Sequence, residues 1–314
     1  MNPSVGDGSG RNSGEDDFAG LSWSRTVPRE MVHRSSVAEV LLTDVRPDRA
    51  GGFEAAACWP RSHTTFPRDG SDLHSPLLVV ETLRQLGIYL PLRYFGVAPT
   101  AHLLIRDLHF ALMADREPRA GHGGTEVACA IGVHGVRRDE DGAVTGLRLE
   151  VRFSSGGTEF AQAGGGARFL APDAYTAVRA RHGSAADPPR PDAHGRPAPG
   201  TLAVAGHGDV LIARRSGVLA VEPADPRHPF FFDHSSDHLP GMVLLEAARQ
   251  ASAEASGGTL LRPTAGRLVA TRFTEFTPLA RIESVPHHRT CVFRIRQGTT
   301  CTAYGVLGYG RHPV

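Results

Sequence analysis

Two long runs of the chain are apolar on nearly every helical face, and they set the reading of everything around them. In SPLLVVETLRQLGIYL (75–90), Ser75 stands as a natural N-cap and Pro76 suits a first helical turn, which predicts a helix. DHLPGMVLLEAARQ (237–250) opens a second helix, expected from about 240 to 256. The other apolar segments are shorter and are bounded by Gly, Asp and Pro turns, the pattern of strands. They fall at 35–45, 52–59, 102–114, 125–136, 145–154 and 158–171, then at 201–205, 209–221, 266–280, 288–296 and 300–308. GSAADPPRPDAHGRPAPG (183–200) has five prolines and no apolar period, and reads as an extended linker. The polar, acidic start of the chain reads as a disordered tail over residues 1–30.

The two helical runs are copies of one another. A shift of 165 residues lays DLHSPLLVVETLRQ (72–85) on DHLPGMVLLEAARQ, matching Asp72 to Asp237, Glu81 to Glu246, Arg84 to Arg249 and Gln85 to Gln250. The same shift brings strand-like HLLIRDLHF (102–110) onto RLVATRFTE (267–275). So long a period implies two copies of one domain rather than a solenoid. The expected class is α+β, a first domain over 31–182 and a second over 201–314, each a long helix wrapped by an antiparallel sheet.

Composition narrows the chemistry. Among 314 residues, 34 Lys plus Arg against 33 Asp plus Glu leave a net charge of +1, with no footing for nucleic-acid binding. Every one of those cations is Arg, which excludes a Schiff-base lysine. Cys58, Cys129, Cys291 and Cys301 form no CxxC pair, so neither a zinc ribbon nor a disulfide framework is expected, and a reducing cytoplasm fits. Cys58 and Cys291 have no nearby base in sequence and read as buried strand residues rather than nucleophiles. No run approaches the roughly 18 apolar residues of a membrane span.

The candidate chemistry lies on and before the second helix. Glu246, Arg249 and Gln250 share one face of it, as Glu81, Arg84 and Gln85 do in the first copy. Such a stripe either faces water or lines the seam between the copies, where a partly desolvated carboxylate becomes a usable acid or base; its repetition favours the seam. Upstream, HPFFFDHSSDHLPG (228–241) carries His234 and His238 with Asp233 and Asp237. Without further ligands at defined spacing these histidines read as hydrogen-bonding groups, and no metal or cofactor is expected. Gly241 lets a substrate carbonyl approach the positive end of its helix, whereas the matching Pro76 has no N–H to offer, so the second copy is the expected working site. GGGA (164–167) lacks the Lys and the following helix of a phosphate loop, and reads as a bulge or turn.

A helix wrapped by a sheet and opened by Pro240, Gly241, a run of apolar residues, Glu246 and Ala247 resembles the hotdog fold of acyl-thioester enzymes, and in particular the hydroxyacyl-carrier-protein dehydratases. Those dehydratases place a catalytic His fourteen residues before the acid, where this chain has Phe232. VHRSSVAEVLLTD (32–44), DLHSPLLVVETLRQ and DHSSDHLPGMVLLEAARQA (233–251) more closely resemble the tandem hotdogs of the A-factor synthase family, which makes γ-butyrolactone autoregulators in actinomycetes. That resemblance implies transfer of a β-ketoacyl group from an acyl-carrier-protein or CoA thioester to the hydroxyl of dihydroxyacetone phosphate. It casts Glu246 as general base, Gly241 as oxyanion donor and Arg249 as phosphate partner, with Glu81 and Arg84 repeating or supporting these roles. Gln250, His238 and His234 are the expected substrate contacts. The two hotdogs make a pseudo-dimer within one chain and leave a homodimer open. A hotdog dehydratase or thioesterase, and a non-catalytic acyl- or lactone-binding protein, are the alternatives.

Overall fold

The computed structural model describes residues 18, 20–61, 71–182 and 192–310. In the first half the strands are β1 (Leu42–Pro47), β2 (Phe53–Trp59), β3 (His102–Leu112), β4 (Thr125–Arg138), β5 (Val144–Ser155) and β6 (Thr158–Leu170), with helix α1 (Leu77–Tyr94) between β2 and β3. Helix α2 (Pro172–His182) follows. The second half has β7 (Ile212–Arg215), β8 (Val218–Val221), helix α3 (Gly241–Ala255), β9 (Ala265–Ala270), β10 (Ala280–His287), β11 (Thr290–Gln297) and β12 (Thr300–Gly308).

All twelve strands join in one antiparallel sheet, in the order β1-β2-β4-β5-β6-β3-β9-β12-β11-β10-β8-β7. Read inward from either edge the order is the same, so the duplication is visible in the topology as two hotdog units joined by β3 and β9. Asp107 pairs with Val269 and Leu108 with Leu268 across that join. Alternation decides which side of each strand is covered: Cys291, Phe293 and Ile295 of β11 are buried while Val292 and Arg294 point away. The inward side chains and those of α1 and α3 form a single hydrophobic cluster. Each fully buried Leu in it contributes on the order of 2 kcal/mol.

The helices differ at their starts. In α1, Ser75 Oγ accepts the N–H of Leu77 at 3.3 Å, and the Ser75 and Pro76 carbonyls take those of Leu78 and Val79. In α3 the first amide with a protein partner among the described residues is that of Leu244, bonded to the Pro240 carbonyl, so the N–H groups of Gly241, Met242 and Val243 are open.

Several sequence expectations need correction. Residues 20–30 are built into the fold rather than belonging to a tail: Leu21 and Val27 are buried, and the Val27 N–H bonds the Leu42 carbonyl. Residues 1–17 and 183–191, the rest of the tail and half of the linker, lie outside the described residues. The remainder of the linker is tied down, with Arg196 on the Glu222 carboxylate at 2.8 Å. Instead of strands, 3₁₀ turns occupy Val37–Glu39 and Pro199–Leu202. The 266–280 segment stops being a strand after Ala270, and β10 begins only at Ala280. GGGA is not a turn, and it lies opposite the register shift between Ile105 and Asp107 of β3. It lies within β6, where a Cβ on Gly165 would come within 2.5 Å of the Asp107 carbonyl of β3, so glycine permits the close strand approach.

Candidate active site at the seam

A cavity of about 700 Å³ lies where the two units meet. Val80, Leu83, Gly87 and Ile88 of α1, Leu103, Ile105 and Leu108 of β3, and Met242 and Leu244 of α3 line its apolar part. Its polar lining comes from both units and includes His33, Arg34, Arg84, Arg106 and Arg168 from the first and Asp233, His234, Ser236, His238 and Arg272 from the second, with Gly241 beside them. The lining therefore mixes the copies. The start of α3 faces the flank of α1.

Glu246, Arg249 and Gln250 are not on that cavity. Gln250 accepts the N–H of Leu211 at 2.8 Å and donates to the Asp209 carbonyl at 2.8 Å; Gln85 does the same for Leu41 and Glu39 at 2.9 and 2.8 Å. Both amides thus satisfy backbone groups of the segment that leads into their own unit's first strand, groups that burial would otherwise leave unpaired. Glu246 is 5% exposed, and both its oxygens accept from Arg249, whose Nη1 donates to the Leu202 and Leu261 carbonyls at 2.7 and 3.0 Å. Of the repeated stripe only Arg84 reaches the seam cavity, and the other five residues are turned away from it. In the second copy it is a buried clamp, and its carboxylate is paired with Arg249 and does not line the cavity.

The first copy of the clamp differs by one residue. The αL residues His33 and Ala203 end matching 3₁₀ turns, so Arg34 stands where the second unit has Val204. Arg34 Nη2 lies 2.8 Å from Glu81 Oε1, and its Nη1 donates to the Phe230 carbonyl at 2.9 Å. Burial would raise the pKa of Glu81, but Arg34, Arg84 and Gln85 outweigh it and hold the carboxyl down to about 2. Arg84 holds Glu81 through Nε and Nη2, as Arg249 holds Glu246, but it reaches the Val32 carbonyl only through Nη2 at 3.4 Å, and its Nη1, the nitrogen that in Arg249 takes two carbonyls, has no hydrogen-bond partner among the described residues. His33 is held down to about 4, first by burial and then by Arg84, His234 and His102, and is neutral at pH 7.

The loop before α3 is sorted into two jobs. Asp233 accepts the amides of Ser35 and Ser36 at 2.6 and 3.2 Å, docking the loop on the first unit. Asp237 turns the other way, to His238 Nδ1 at 2.6 Å, to the Tyr175 hydroxyl at 2.7 and 2.8 Å, and to Arg179 Nε at 2.9 Å. Burial would raise its pKa, yet the hydrogen bonds from His238 and Tyr175 hold it well below the usual carboxylate range. His234 is exposed at its tip, with Nδ1 3.0 Å from the Ser235 carbonyl. Among the described residues no group of three His, Cys, Asp or Glu is placed to hold a metal. Cys58 is half-buried and Cys291 buried, and burial raises both thiols, contrary to what a nucleophile needs.

The profile of the A-factor biosynthesis hotdog domain matches residues 20–171 and 209–275. The chain belongs to the A-factor biosynthesis hotdog family. Among its relatives, the 2-oxo-3-(phosphooxy)propyl 3-oxoalkanoate synthase of Streptomyces virginiae is 34% identical, the match covering 83% of this chain and 87% of that one. The Streptomyces coelicolor protein of the same name is 30% identical over 80% and 79% of the two chains. Among solved structures, an acyl-ACP thioesterase from Bacteroides thetaiotaomicron aligns with a TM-score of 0.50 at 11% identity, over 82% of this chain and 98% of that one, a likeness of fold alone. In this member of the family the sequence pointed to Gly241, His238, His234 and Arg84, all of which meet at the cavity, while Glu246, Arg249, Gln250 and the buried Glu81 stand behind it. It missed His33, Arg34, Tyr175 and Arg179. For Tyr175 and Arg179 a signal existed, since PDAYTAVRARH carries Pro at its first position and Asp in its first turn, both helix-start marks.

No helix among the described residues is long and apolar enough to cross a membrane.

Proposed function

We propose that the chain transfers a β-ketoacyl group from a thioester, on acyl carrier protein or CoA, to the hydroxyl of dihydroxyacetone phosphate, yielding the phosphorylated ester from which a butyrolactone, butenolide or furan signal is made. The observation that supports this reading is the seam cavity, lined by Gly241 and Met242 at the open start of α3 and by Arg84. The acyl chain lies against Leu83, Ile88, Met242 and Leu244. Its thioester oxygen meets the Gly241 to Val243 amides, where the helix dipole stabilises the charge of the tetrahedral intermediate. Gly241 leaves the approach clear. Arg84 Nη1, with His33 and His234 beside it, receives the phosphate.

In this reading the roles that resemblance assigns to Glu246 and Arg249 pass to groups on the cavity, and the clamp holds the fold behind them. Phe232 weighs against dehydration, because it packs against Phe276 with ring centroids 6.3 Å apart and supplies no acid or base. A cytoplasmic setting goes with these substrates, and the fused units need no second chain to complete the cavity.

The test is to incubate the purified chain with a β-ketoacyl thioester and dihydroxyacetone phosphate and follow the products by mass spectrometry. The phosphorylated ester is expected. Free β-keto acid in its place would replace the reading with thioesterase chemistry, and loss of water from a 3-hydroxyacyl thioester in a parallel incubation would replace it with dehydratase chemistry.

A further inference from the structure

We propose that His238 is the general base that activates the attacking hydroxyl, and that α2 of the first unit holds it in position; this rests on the seam cavity being the site of acyl transfer. Asp237 is ionised and can only accept, so His238 Nδ1 must donate to it across their 2.6 Å contact. That fixes the tautomer and leaves the Nε2 lone pair free, and Nε2 has no partner among the described residues. The ring lines the cavity, three residues before the open amide of Gly241. Base and oxyanion donors therefore sit on one short stretch of backbone.

The brace behind the pair comes from the other unit. Tyr175 of α2 donates its hydroxyl to Asp237 and stacks flat on His102, with centroids 3.7 Å apart and planes 4° apart. Arg179, one turn further, binds Asp237 Oδ2, the Asp237 carbonyl at 3.0 Å and both oxygens of Glu275 at 2.6 and 2.8 Å. The His238 ring rests against Phe273, which Arg179 covers from 4.7 Å. This is the arrangement that keeps a histidine in one tautomer and one rotamer. Neither alternative base has it: among the described residues His234 has no carboxylate partner, and Glu246 is paired with Arg249 away from the cavity.

In the step, His238 Nε2 takes the hydroxyl proton as the oxygen bonds to the thioester carbon. The tetrahedral intermediate then collapses with cleavage of the C–S bond, and the departing thiolate receives that proton from Nε2. Nothing is oxidised or reduced, and His238 ends as it began.

The experiment is steady-state transfer by the full chain, with a β-ketoacyl pantetheine thioester and dihydroxyacetone phosphate. His238→Ala is expected to lower kcat by roughly 10²–10⁴-fold with both KM values within threefold, and added imidazole to restore part of the rate. Asp237→Asn is expected to lower kcat in the same direction, and Tyr175→Phe by a few-fold with KM unchanged. Thermal melts identify any variant that fails to fold, and Tyr175→Phe, which keeps the ring stacked on His102, remains as the mildest probe. Ester formation by the wild type is scored separately. If the wild type makes ester and His238→Ala, folded, keeps half of kcat, or loses rate only through KM, the base assignment is overturned. A wild type that hydrolyses the thioester instead overturns the acceptor, and the same variants then read His238 as the base for water. A wild type inert in both reactions overturns the base assignment along with the site.

Discussion

Replacing Glu246 by Gln separates a structural carboxylate from a catalytic one. The substitution keeps the side chain's size and one acceptor oxygen but removes the charge that faces Arg249, whose side chain is 12% exposed and whose nearest contact to Glu246 is 2.6 Å. Breaking a buried pair by neutralising one partner costs about 3–5 kcal/mol, most of it from the charge left behind. Arg249 still has the Leu202 and Leu261 carbonyls, which carry part of its solvation, so the expected cost is near the lower end, about 3 kcal/mol. Against a typical stability of roughly 5–15 kcal/mol the variant should remain folded. The assay is a urea titration followed from the two tryptophans, paired with kcat on the folded fraction. A lowered midpoint with kcat within about twofold is expected, since the carboxylate does not reach the cavity. A hundredfold fall in kcat at an unchanged midpoint would refute the reasoning and return the general base to α3.

Further outcomes follow from the same geometry. Arg84→Met should raise the KM for the triose phosphate by roughly one to two orders of magnitude, the worth of a charge-assisted hydrogen bond, while the KM for the thioester stays within threefold in initial-rate measurements. Gly241→Ala adds a methyl that meets only Ile105 Cδ1, at 3.7 Å, so thermal melting should show equal or slightly higher stability; kcat should nevertheless fall at least tenfold, an order-of-magnitude figure for impaired oxyanion contact, and full activity would remove the carbonyl from that helix start. Stability should decline on mild acidification. His74, 4% exposed and bonded to Thr125 at 2.7 Å, is held down to about 4 by burial and by Arg262, against an ordinary 6.5. A pKa lowered in the folded state means that unfolding takes up a proton, so this contribution is intact above about 6.5 and lost as pH falls toward 4, at most roughly 3 kcal/mol. Glu81 is lowered from 4.5 to about 2, so its contribution should be lost only below about 4.5. Urea midpoints at pH 7, 5 and 4 check both, and a His74→Gln variant with an unchanged slope from pH 7 to 5 would contradict the first.

The duplication was legible because both copies repeat the same sequence of apolar runs, and those runs decide which strands enter the sheet and which faces the helices bury. The polar stripe was visible for the same reason, yet of its six residues only Arg84 lines the cavity. Its repetition suggested shared chemistry, whereas Gln85 and Gln250 share a structural need, the unpaired amides and carbonyls of Leu41, Glu39, Leu211 and Asp209. Any two copies of the fold repeat that need. The difference between Gly241 and Pro76 was legible, since the presence or absence of an N–H is written in the residue itself, and the Gly241 amide is open among the described residues. What periodicity could not supply was pairing across the seam. Tyr175 meets Asp237 from 62 residues away and Arg179 meets Glu275 from 96, and only the joining of β3 to β9 makes those residues neighbours. Local pattern reveals elements; a site assembled from two units needs the topology.

The most direct measurement is a crystal structure of the chain with a non-hydrolysable β-ketoacyl thioester analogue and dihydroxyacetone phosphate. The acyl chain should lie between α1 and α3, its carbonyl oxygen within hydrogen-bonding distance of the Gly241 to Val243 amides and the phosphate on Arg84. Density for the analogue against Glu246 and Arg249, with the seam cavity empty, would contradict the account.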